Sequence, residues 1–200
     1  MSRIISGEFR GRTLAVPKSG TRPTSDRVRE AIFSALDSRD AIRGARVLDL
    51  YAGSGALGFE ALSRGAAHLT SVDAARPAAS VIRANAHLLG VRPTVITAKT
   101  ATILAAGISR VSGAPFGLVF LDPPYGHAVD GDLAALADGD WLTEGALVVV
   151  EGAARSPSPA FPARLGEPTE KRYGDTVVWF AQARDLGGGL PADGPTTLGA

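Results

Sequence analysis

The sequence predicts an α/β fold, with a mostly parallel sheet that carries helices on both faces and ends in an antiparallel hairpin. From about residue 46 onward, short apolar runs alternate with segments of helical periodicity, which is typical of a parallel sheet. The run 116–121 is apolar on both faces, as expected for a central parallel strand. A glycine-rich turn joins the first strand of the series to its helix. These observations together indicate five strand–helix units closed by a hairpin.

The segment before the sheet is predicted to hold a small hairpin and one capped helix. Apolar-rich runs at 3–6 and 13–16 flank a glycine-containing stretch, which favours a β-hairpin. Residues 17–23 begin and end with proline and are predicted to form a loop. Thr24 or Ser25 can cap a helix that runs to about Ser38, because apolar side chains recur in it at helical spacing.

The sheet and its helices follow from the same two periodicities. The predicted parallel strands are 46–50, 68–72, 94–97, 116–121 and 146–150, and the predicted hairpin strands are 169–173 and 176–181. The predicted helices run from the glycine turn to Leu62 and over 76–89, 100–106 and 133–137. The last 14 residues contain five glycines and two prolines, so we expect them to be disordered.

Composition excludes several classes of protein. The chain has 200 residues, 45% hydrophobic and 20% charged, which suits one domain with a real core. It has no cysteine, which excludes disulfides, cysteine–zinc sites and a cysteine nucleophile, and its three histidines argue against a zinc enzyme. No apolar run approaches the roughly 18 residues of a membrane span, and the N-terminus does not resemble a signal peptide. We expect a cytoplasmic protein without metal or membrane.

Positive charge is concentrated at the N-terminus. Residues 1–29 hold seven basic and two acidic residues, a net charge of +5 in a chain whose total is +1. Such a basic end can dock a polyanion, although a merely solvated basic face is the other interpretation. The candidate contacts are Arg3, Arg10, Arg12, Lys18 and Arg22. We expect deletion of residues 1–23 to weaken this binding and to cause no other defect.

The glycine turn points to a bound cofactor. Gly53, Gly55 and Gly58 form a G-x-G-x-x-G pattern after a strand, and Asp73 follows the next strand twenty residues later, where a carboxylate can bind a ribose. Both a dinucleotide and S-adenosylmethionine would use such a carboxylate. Asp49 beside the turn would repel a pyrophosphate but could hold a cationic amino group, which favours S-adenosylmethionine. The alternative interpretations are a tight turn and helix or turn caps.

The tetrapeptide Asp122-Pro123-Pro124-Tyr125 is the most specific motif of the chain. It follows the apolar strand 116–121, at the edge of the sheet where ligands of α/β proteins bind. Prolines bring no N–H donor, so the Asp122 carboxylate and the Pro123 carbonyl form a corner of acceptors. Two acceptors can hold both hydrogens of an exocyclic amine on a nucleobase and direct its lone pair at a methyl donor. Tyr125 offers a face for stacking the base, which must be unpaired or flipped out.

The motifs together resemble a known family. The segment 49–58, Asp73 and the tetrapeptide resemble class I S-adenosylmethionine-dependent methyltransferases, which have a Rossmann-like seven-stranded sheet, and the D-P-P-Y form is similar to that of N6-adenine and N2-guanine methyltransferases. Segments 3–7, 22–30 and 172–176 resemble the RsmD family of bacterial 16S ribosomal RNA guanine-N2 methyltransferases. The resemblance covers about 3–181.

The resemblance implies a substrate and a set of site residues. The substrate would be the guanine at position 966 of 16S rRNA within the small ribosomal subunit, and the protein would act as a monomer. The tetrapeptide residues Asp122, Pro123, Pro124 and Tyr125 would be catalytic. The cofactor would be held by Thr24, Asp49, Tyr51, Gly53, Ser54, Gly55, Asp73 and Ala74. The chain would divide into an RNA-docking hairpin (1–23), a methyltransferase domain (24–183) and a tail (184–200).

Three alternatives remain open on the sequence. An adenine-N6 DNA methyltransferase would use the same tetrapeptide, but no separate target-recognition domain is visible. A non-catalytic RNA-binding assembly factor would have no use for an acceptor-only corner. A dehydrogenase is disfavoured because Tyr51 and Ala52 separate the first strand from Gly53.

Overall fold

Nine strands and five helices make up the computed structural model in residues 2–17, 25–124 and 126–184, the part of the chain that the structure describes. The strands are β1 (Ser2–Arg3), β2 (Thr13–Leu14), β3 (Arg46–Leu50), β4 (His68–Asp73), β5 (Thr94–Thr97), β6 (Phe116–Leu121), β7 (Leu142–Ala153), β8 (Thr169–Tyr173) and β9 (Thr176–Gln182). The helices are α1 (Asp26–Asp37), α2 (Ala56–Ser63), α3 (Arg76–Leu89), α4 (Thr100–Ala106) and α5 (Asp130–Asp138).

The central sheet has seven strands in the order β5-β4-β3-β6-β7-β9-β8. The first five of these are parallel, whereas β9 runs antiparallel to both β7 and β8. The chain moves outward from β3 in one direction and then returns to β6 on its other side, so the strand order reverses between β3 and β6. This architecture confirms the predicted fold class, including the C-terminal antiparallel hairpin and the small N-terminal sheet.

Two layers of helices cover the sheet because its strands are apolar on both faces. Val47, Leu118 and Phe120 pack on one side with residues of α1, α2 and α3. Leu48 and Val119, their neighbours along the strands, pack on the other side with residues of α4 and α5. The alternation along β3 and β6 therefore places one core on each face. No helix in the described ranges is long and apolar enough to cross a bilayer.

The N-terminal sheet is part of the first core. Ile4 and Leu14 are 1% and 0% exposed and belong to the same apolar cluster as α1 and α2. The strands predicted at 3–6 and 13–16 are shorter than expected, because the N–H groups beyond them bond to other partners. Ile5 and Ser6 donate to Glu60 on α2, at 2.7 and 3.0 Å. The expectation that residues 1–23 can be removed without other defect is therefore wrong for the described part of this segment.

A close backbone contact accompanies these hydrogen bonds. Gly7 has a φ of +84°, and a Cβ there would lie 1.8 Å from the carbonyl oxygen of Ser63 at the end of α2. The N–H of Glu8 donates to that same oxygen at 2.7 Å, and the N–H of Phe9 donates to the Ser63 hydroxyl at 3.0 Å. Only glycine permits this approach, so the segment is docked on α2 through its backbone.

Most predicted boundaries agree with the structure, and two differ for clear reasons. The last parallel strand was predicted over 146–150 but extends over β7, because its first residue pairs with β6 and its last three pair with β9. Helix α5 begins at Asp130 rather than at 133, since its first turn is acidic rather than apolar and suits a helix N-terminus. Ser25 caps α1, because its hydroxyl oxygen accepts a hydrogen bond from the N–H of Val28. The predicted disordered tail and most of the predicted loop at 17–23 lie outside the described residues.

Candidate active site

Three strands end at the same level at the carboxyl edge of the sheet. Leu50 of β3 pairs with Leu121 of β6 on one side and with Val72 of β4 on the other. Tyr51, Asp122 and Asp73 therefore come next to one another as the chain leaves these strands. This edge includes the point between β3 and β6 where the strand order reverses, which is where ligands bind in open α/β sheets.

Asp73 holds the glycine turn in place. Its Oδ2 accepts a hydrogen bond from the N–H of Gly53 at 2.8 Å, and its Oδ1 accepts one from the N–H of Ala75 at 2.8 Å. Each carboxylate oxygen has a further lone pair, so the half-buried side chain can also accept hydrogen bonds from ribose hydroxyls. The structure thus assigns Asp73 a bracing role that sequence reasoning did not include, in addition to the predicted one. Ala74 beside it is exposed.

The three glycines of the turn serve two purposes. Gly53 and Gly55 have left-handed backbones with φ of 57° and 77°, which glycine adopts without steric cost. Gly55 begins α2, and a Cβ there would lie 2.6 Å from the ring of Phe59. Gly58 is different, because its Cβ would meet Leu69 of β4 at 2.6 Å. Gly58 is therefore needed for helix–sheet packing, whereas Gly53 and Gly55 are needed for the left-handed backbone of the turn.

Asp49 lies beneath the turn and is only 1% exposed. Its Oδ2 accepts a hydrogen bond from the N–H of Gly58 at 3.1 Å, which ties β3 to α2. Burial raises the pKa of Asp49, the Gly58 hydrogen bond opposes this shift, and the nearby carboxylates of Asp122 and Asp73 add to it, so that the pKa lies at about 8. Direct contact of Asp49 with a ligand is restricted by this burial.

The cluster of three carboxylates decides between the two cofactors that the sequence left open. Asp49, Asp73 and Asp122 are close enough for the latter two to raise the pKa of the first. A pyrophosphate at this edge would add two negative charges to the cluster, whereas a sulfonium and an ammonium group would relieve the repulsion. The residues present therefore fit S-adenosylmethionine and do not fit a dinucleotide.

Tyr51 has an unexpected environment. Its backbone is left-handed, with a φ of 64°. Its hydroxyl donates to Asp132 Oδ2 of α5 at 2.5 Å and lies 3.0 Å from the Nε2 of His127. Burial and the neighbouring Asp132 raise the pKa of Tyr51. The hydroxyl is therefore committed to these partners, and only the ring and backbone of Tyr51 can serve the predicted cofactor contact.

The tetrapeptide lies beside this cluster. Asp122 and Pro123 are half-buried and Pro124 is exposed. The carbonyl of Pro124 accepts a hydrogen bond from the N–H of His127 at 3.1 Å, which closes a turn after the motif. Four predicted site residues lie outside the described residues: Lys18, Arg22, Thr24 and Tyr125.

Sequence reasoning missed several residues that shape the site. Asn85 of α3 is 1% exposed, and its Nδ2 donates to the carbonyl of Ser54 in the glycine turn and to that of Ala15, each at 3.0 Å. His127 and Asp132 were missed as partners of Tyr51. His127 stands two residues after the tetrapeptide, which is the one local signal that could have singled it out. Asn85 and Asp132 sit on helices without any distinguishing pattern.

Comparison with known proteins identifies the family. The family described as conserved hypothetical protein 95 matches residues 2–182. The chain is 38% identical over 194 residues to the Ribosomal RNA small subunit methyltransferase D of Escherichia coli K12, covering 96% of this chain and 94% of that protein. The chain belongs to the RsmD family. The protein of the same name from Haemophilus influenzae is 37% identical over 154 residues, covering 74% of this chain and 77% of that protein.

A solved structure agrees with this assignment. The Escherichia coli protein yhhF superimposes with a TM-score of 0.77 at 35% identity, covering 92% of this chain and 98% of that one. The fold of that protein therefore covers most of this chain, and the family match over residues 2–182 includes the short N-terminal sheet. The predicted resemblance to the RsmD family is confirmed.

Proposed function

We propose that the chain is an S-adenosylmethionine-dependent methyltransferase that modifies the N2 amine of a guanine in 16S rRNA, the base at position 966. The observation that carries the proposal is the pairing of Leu50 with Leu121, which sets the acceptor corner at Asp122 beside the glycine turn. The RsmD relatives are named as methyltransferases of the small-subunit ribosomal RNA, which supports this RNA as the substrate class.

The cofactor would supply an electrophilic methyl group on a sulfonium, a good leaving group. The Asp122 carboxylate and the Pro123 carbonyl accept the two hydrogens of the guanine amine. These hydrogen bonds favour a tetrahedral nitrogen and direct its lone pair at the methyl carbon. As the N–C bond forms and the S–C bond breaks, the nitrogen gains positive charge. Asp122 stabilises that charge and is placed to accept the proton that the nitrogen then loses.

Hydrogen bonds within the chain hold part of the proposed cofactor site in place. Asp73 would bind the ribose hydroxyls while it holds Gly53, and the backbone at 53–55 would face the cofactor. Thr100 of α4 forms a side-chain hydrogen bond with Tyr51. The predicted roles of Thr24, Ala74 and Tyr125 remain part of the proposal.

Methyl transfer to small ribosomal subunits tests the proposal. Subunits from cells that lack the endogenous enzyme are incubated with tritiated cofactor, and the labelled base is mapped; naked 16S rRNA and duplex DNA are run beside them. Label at the N2 of one guanine in the subunits supports the proposal. Label in adenine of DNA supports the adenine-N6 alternative, which the corner accommodates equally well. Binding of subunits without any label supports a non-catalytic assembly factor.

The pH dependence of cofactor binding is predicted from Asp49. The pKa of Asp49 is raised from an ordinary 3.8 to about 8. The contribution of Asp49 to the free energy of unfolding is therefore complete below about pH 4 and is lost as the pH rises through about 8.

Ligand binding should show the opposite pH dependence. A bound ammonium group favours the ionised form of Asp49, so the affinity for S-adenosylhomocysteine should rise between about pH 6 and 8.5, with release of a proton. Calorimetry in buffers of different ionisation enthalpy measures both effects.

Asp49→Asn is the control for this prediction. Asparagine keeps an oxygen that can accept the Gly58 N–H and has no ionisable group. The variant should bind the same ligand with little pH dependence and without proton release. An unchanged pH dependence in the variant would assign it to another group.

The proposed docking of RNA uses exposed arginines of the N-terminal segment. Arg3, Arg10 and Arg12 are exposed, and the first two line a groove of about 410 Å³ together with Arg27 of α1. Replacing Arg10 and Arg12 with alanine should weaken binding to small subunits and lower the slope of log K against log salt concentration by about 1 to 2. The matched control is Arg110→Ala, since Arg110 is exposed and follows α4, on the face of the sheet opposite to the N-terminal segment. Equal slopes for both variants would contradict the docking role.

The division of the chain into segments, its oligomeric state and its location also belong to the proposed function. We propose a docking segment at 1–23, a catalytic domain at 24–183 and a tail at 184–200, with the protein acting as a monomer. A cytoplasmic location goes with a ribosomal substrate.

A further inference from the structure

Tyr51, His127 and Asp132 form a hydrogen-bonded cluster that joins three elements around the proposed site. Tyr51 follows β3, His127 follows the tetrapeptide, and Asp132 lies in the first turn of α5. We propose that this cluster, which we call the clasp, positions the acceptor corner for methyl transfer. The inference rests on the proposed function, and it makes His127 and Tyr51 positioning residues rather than catalytic ones.

The donors and acceptors of the clasp can be assigned. A phenol carries one hydrogen, and Tyr51 donates it to Asp132 Oδ2 at 2.5 Å. The Nε2 of His127, 3.0 Å from the same hydroxyl, must then be the donor of the second hydrogen bond. Thr100 adds a further side-chain hydrogen bond to Tyr51. The imidazole therefore carries a hydrogen on Nε2. Hydrogen-bond donation in the clasp runs in one direction, from His127 to Tyr51 and from Tyr51 to Asp132.

The clasp also accounts for the backbone of Tyr51. A left-handed backbone, here with a φ of 64°, is unfavourable for a bulky residue and persists where surrounding contacts over-determine it. The hydrogen bonds of the hydroxyl supply such contacts. The ring of Tyr51 also packs edge-on against that of His127, with centroids 5.4 Å apart at an angle of 63°.

A ring of strand-pairing and hydrogen-bond contacts connects the clasp with the acceptor corner. Leu50 and Leu121 pair at the end of the sheet, so Tyr51 and Asp122 leave it together. The chain then reaches Pro124, whose carbonyl accepts the N–H of His127 at 3.1 Å. The His127 side chain hydrogen-bonds the Tyr51 hydroxyl, which completes a ring of contacts. Because both ends of the segment 122–127 are held, the position of the corner relative to the cofactor turn depends on the clasp.

Replacement of His127 tests the inference, because this side chain is exposed and its loss should not unfold the protein. We expect His127→Ala to lower kcat about 10- to 100-fold, as displacement of reacting groups by about 1 Å does. The thermal midpoint and the affinity for S-adenosylhomocysteine should stay unchanged. His127→Gln should restore much of the activity, since its amide can donate to Tyr51. The matched control is His87→Ala, an exposed histidine of α3, which should leave kcat unchanged.

The tautomer of His127 gives a readout that does not depend on activity. Nitrogen-15 NMR of the wild-type protein should show the hydrogen on Nε2 with the chemical shift of a hydrogen-bonded N–H, and this hydrogen-bond shift should be lost in Tyr51→Phe. A neutral ring with its hydrogen on Nδ1 would overturn the clasp whatever the enzyme does. Wild-type activity with an equally active His127→Ala would also overturn it, as would a variant in which glutamine fails to restore kcat. Absence of transfer by the wild-type protein would instead refute the proposed function.

Discussion

We expect Asp122→Ala to lower kcat for methyl transfer by roughly 10³-fold, the scale expected for loss of a transition-state hydrogen-bonding group. In the proposed mechanism the carboxylate would bind one amine hydrogen and stabilise the positive charge that develops on nitrogen, and alanine would do neither. The affinity for S-adenosylhomocysteine should change little, because the proposed cofactor contacts lie on the glycine turn and on Asp73. Single-turnover assays give the rate, and calorimetry gives the affinity.

Two further measurements make this prediction sharper. Asp138→Ala removes an exposed aspartate at the end of α5 and should leave kcat unchanged. The carboxylate of Asp122 also raises the pKa of Asp49. In Asp122→Ala, the pH dependence of cofactor binding should therefore shift to lower pH. Loss of cofactor binding in this variant would contradict the assignment of Asp122 to the base.

Glu60→Ala has the largest expected effect on stability. Glu60 is 0% exposed, and its carboxylate accepts hydrogen bonds from the N–H of Ile5 at 2.7 Å, from that of Ser6 at 3.0 Å and from Arg64 Nε at 2.8 Å. Alanine would leave a largely buried guanidinium and two N–H groups without this acceptor. We expect the free energy of unfolding to fall by about 3–5 kcal/mol.

Urea denaturation measures this change, and two controls accompany it. Glu167→Ala removes an exposed glutamate and should alter the free energy of unfolding by less than about 0.5 kcal/mol. Glu60→Gln keeps one acceptor oxygen but loses the charge, so an intermediate value is expected. If Glu60→Ala were as stable as Glu167→Ala, the N-terminal segment would not be held through this carboxylate.

The Glu60 contacts also change how the basic N-terminus is understood. Charge alone suggested an appendage that could be removed without affecting the rest of the protein. Ile4 and Leu14 instead lie in the core, and Asn85 links Ala15 to the carbonyl of Ser54 in the glycine turn. Loss of RNA binding on truncation would therefore not by itself show an RNA contact. Substitution of exposed arginines is the more specific test.

The local parts of the fold were predicted well. The bounds of β3, β5 and β6 agree with the prediction to the residue, because each is a short apolar-rich run with turn or loop residues beside it in the sequence. The end of β7 was missed, since its last residues are strand only through pairing with β9. In the same way, β1 and β2 are short because neighbouring N–H groups are taken by Glu60 and Asn85.

What the sequence by itself determined is the α/β class, the glycine turn with its two flanking carboxylates and the acceptor tetrapeptide. These features consist of residues close together in the chain or of one repeated strand–helix pattern. Only the tertiary structure decided that Glu60 holds Ile5, 55 residues away, and that Asp132 holds Tyr51, 81 residues away. No periodicity relates such partners, because a hydrogen bond between distant segments depends on where the sheet and helices bring them.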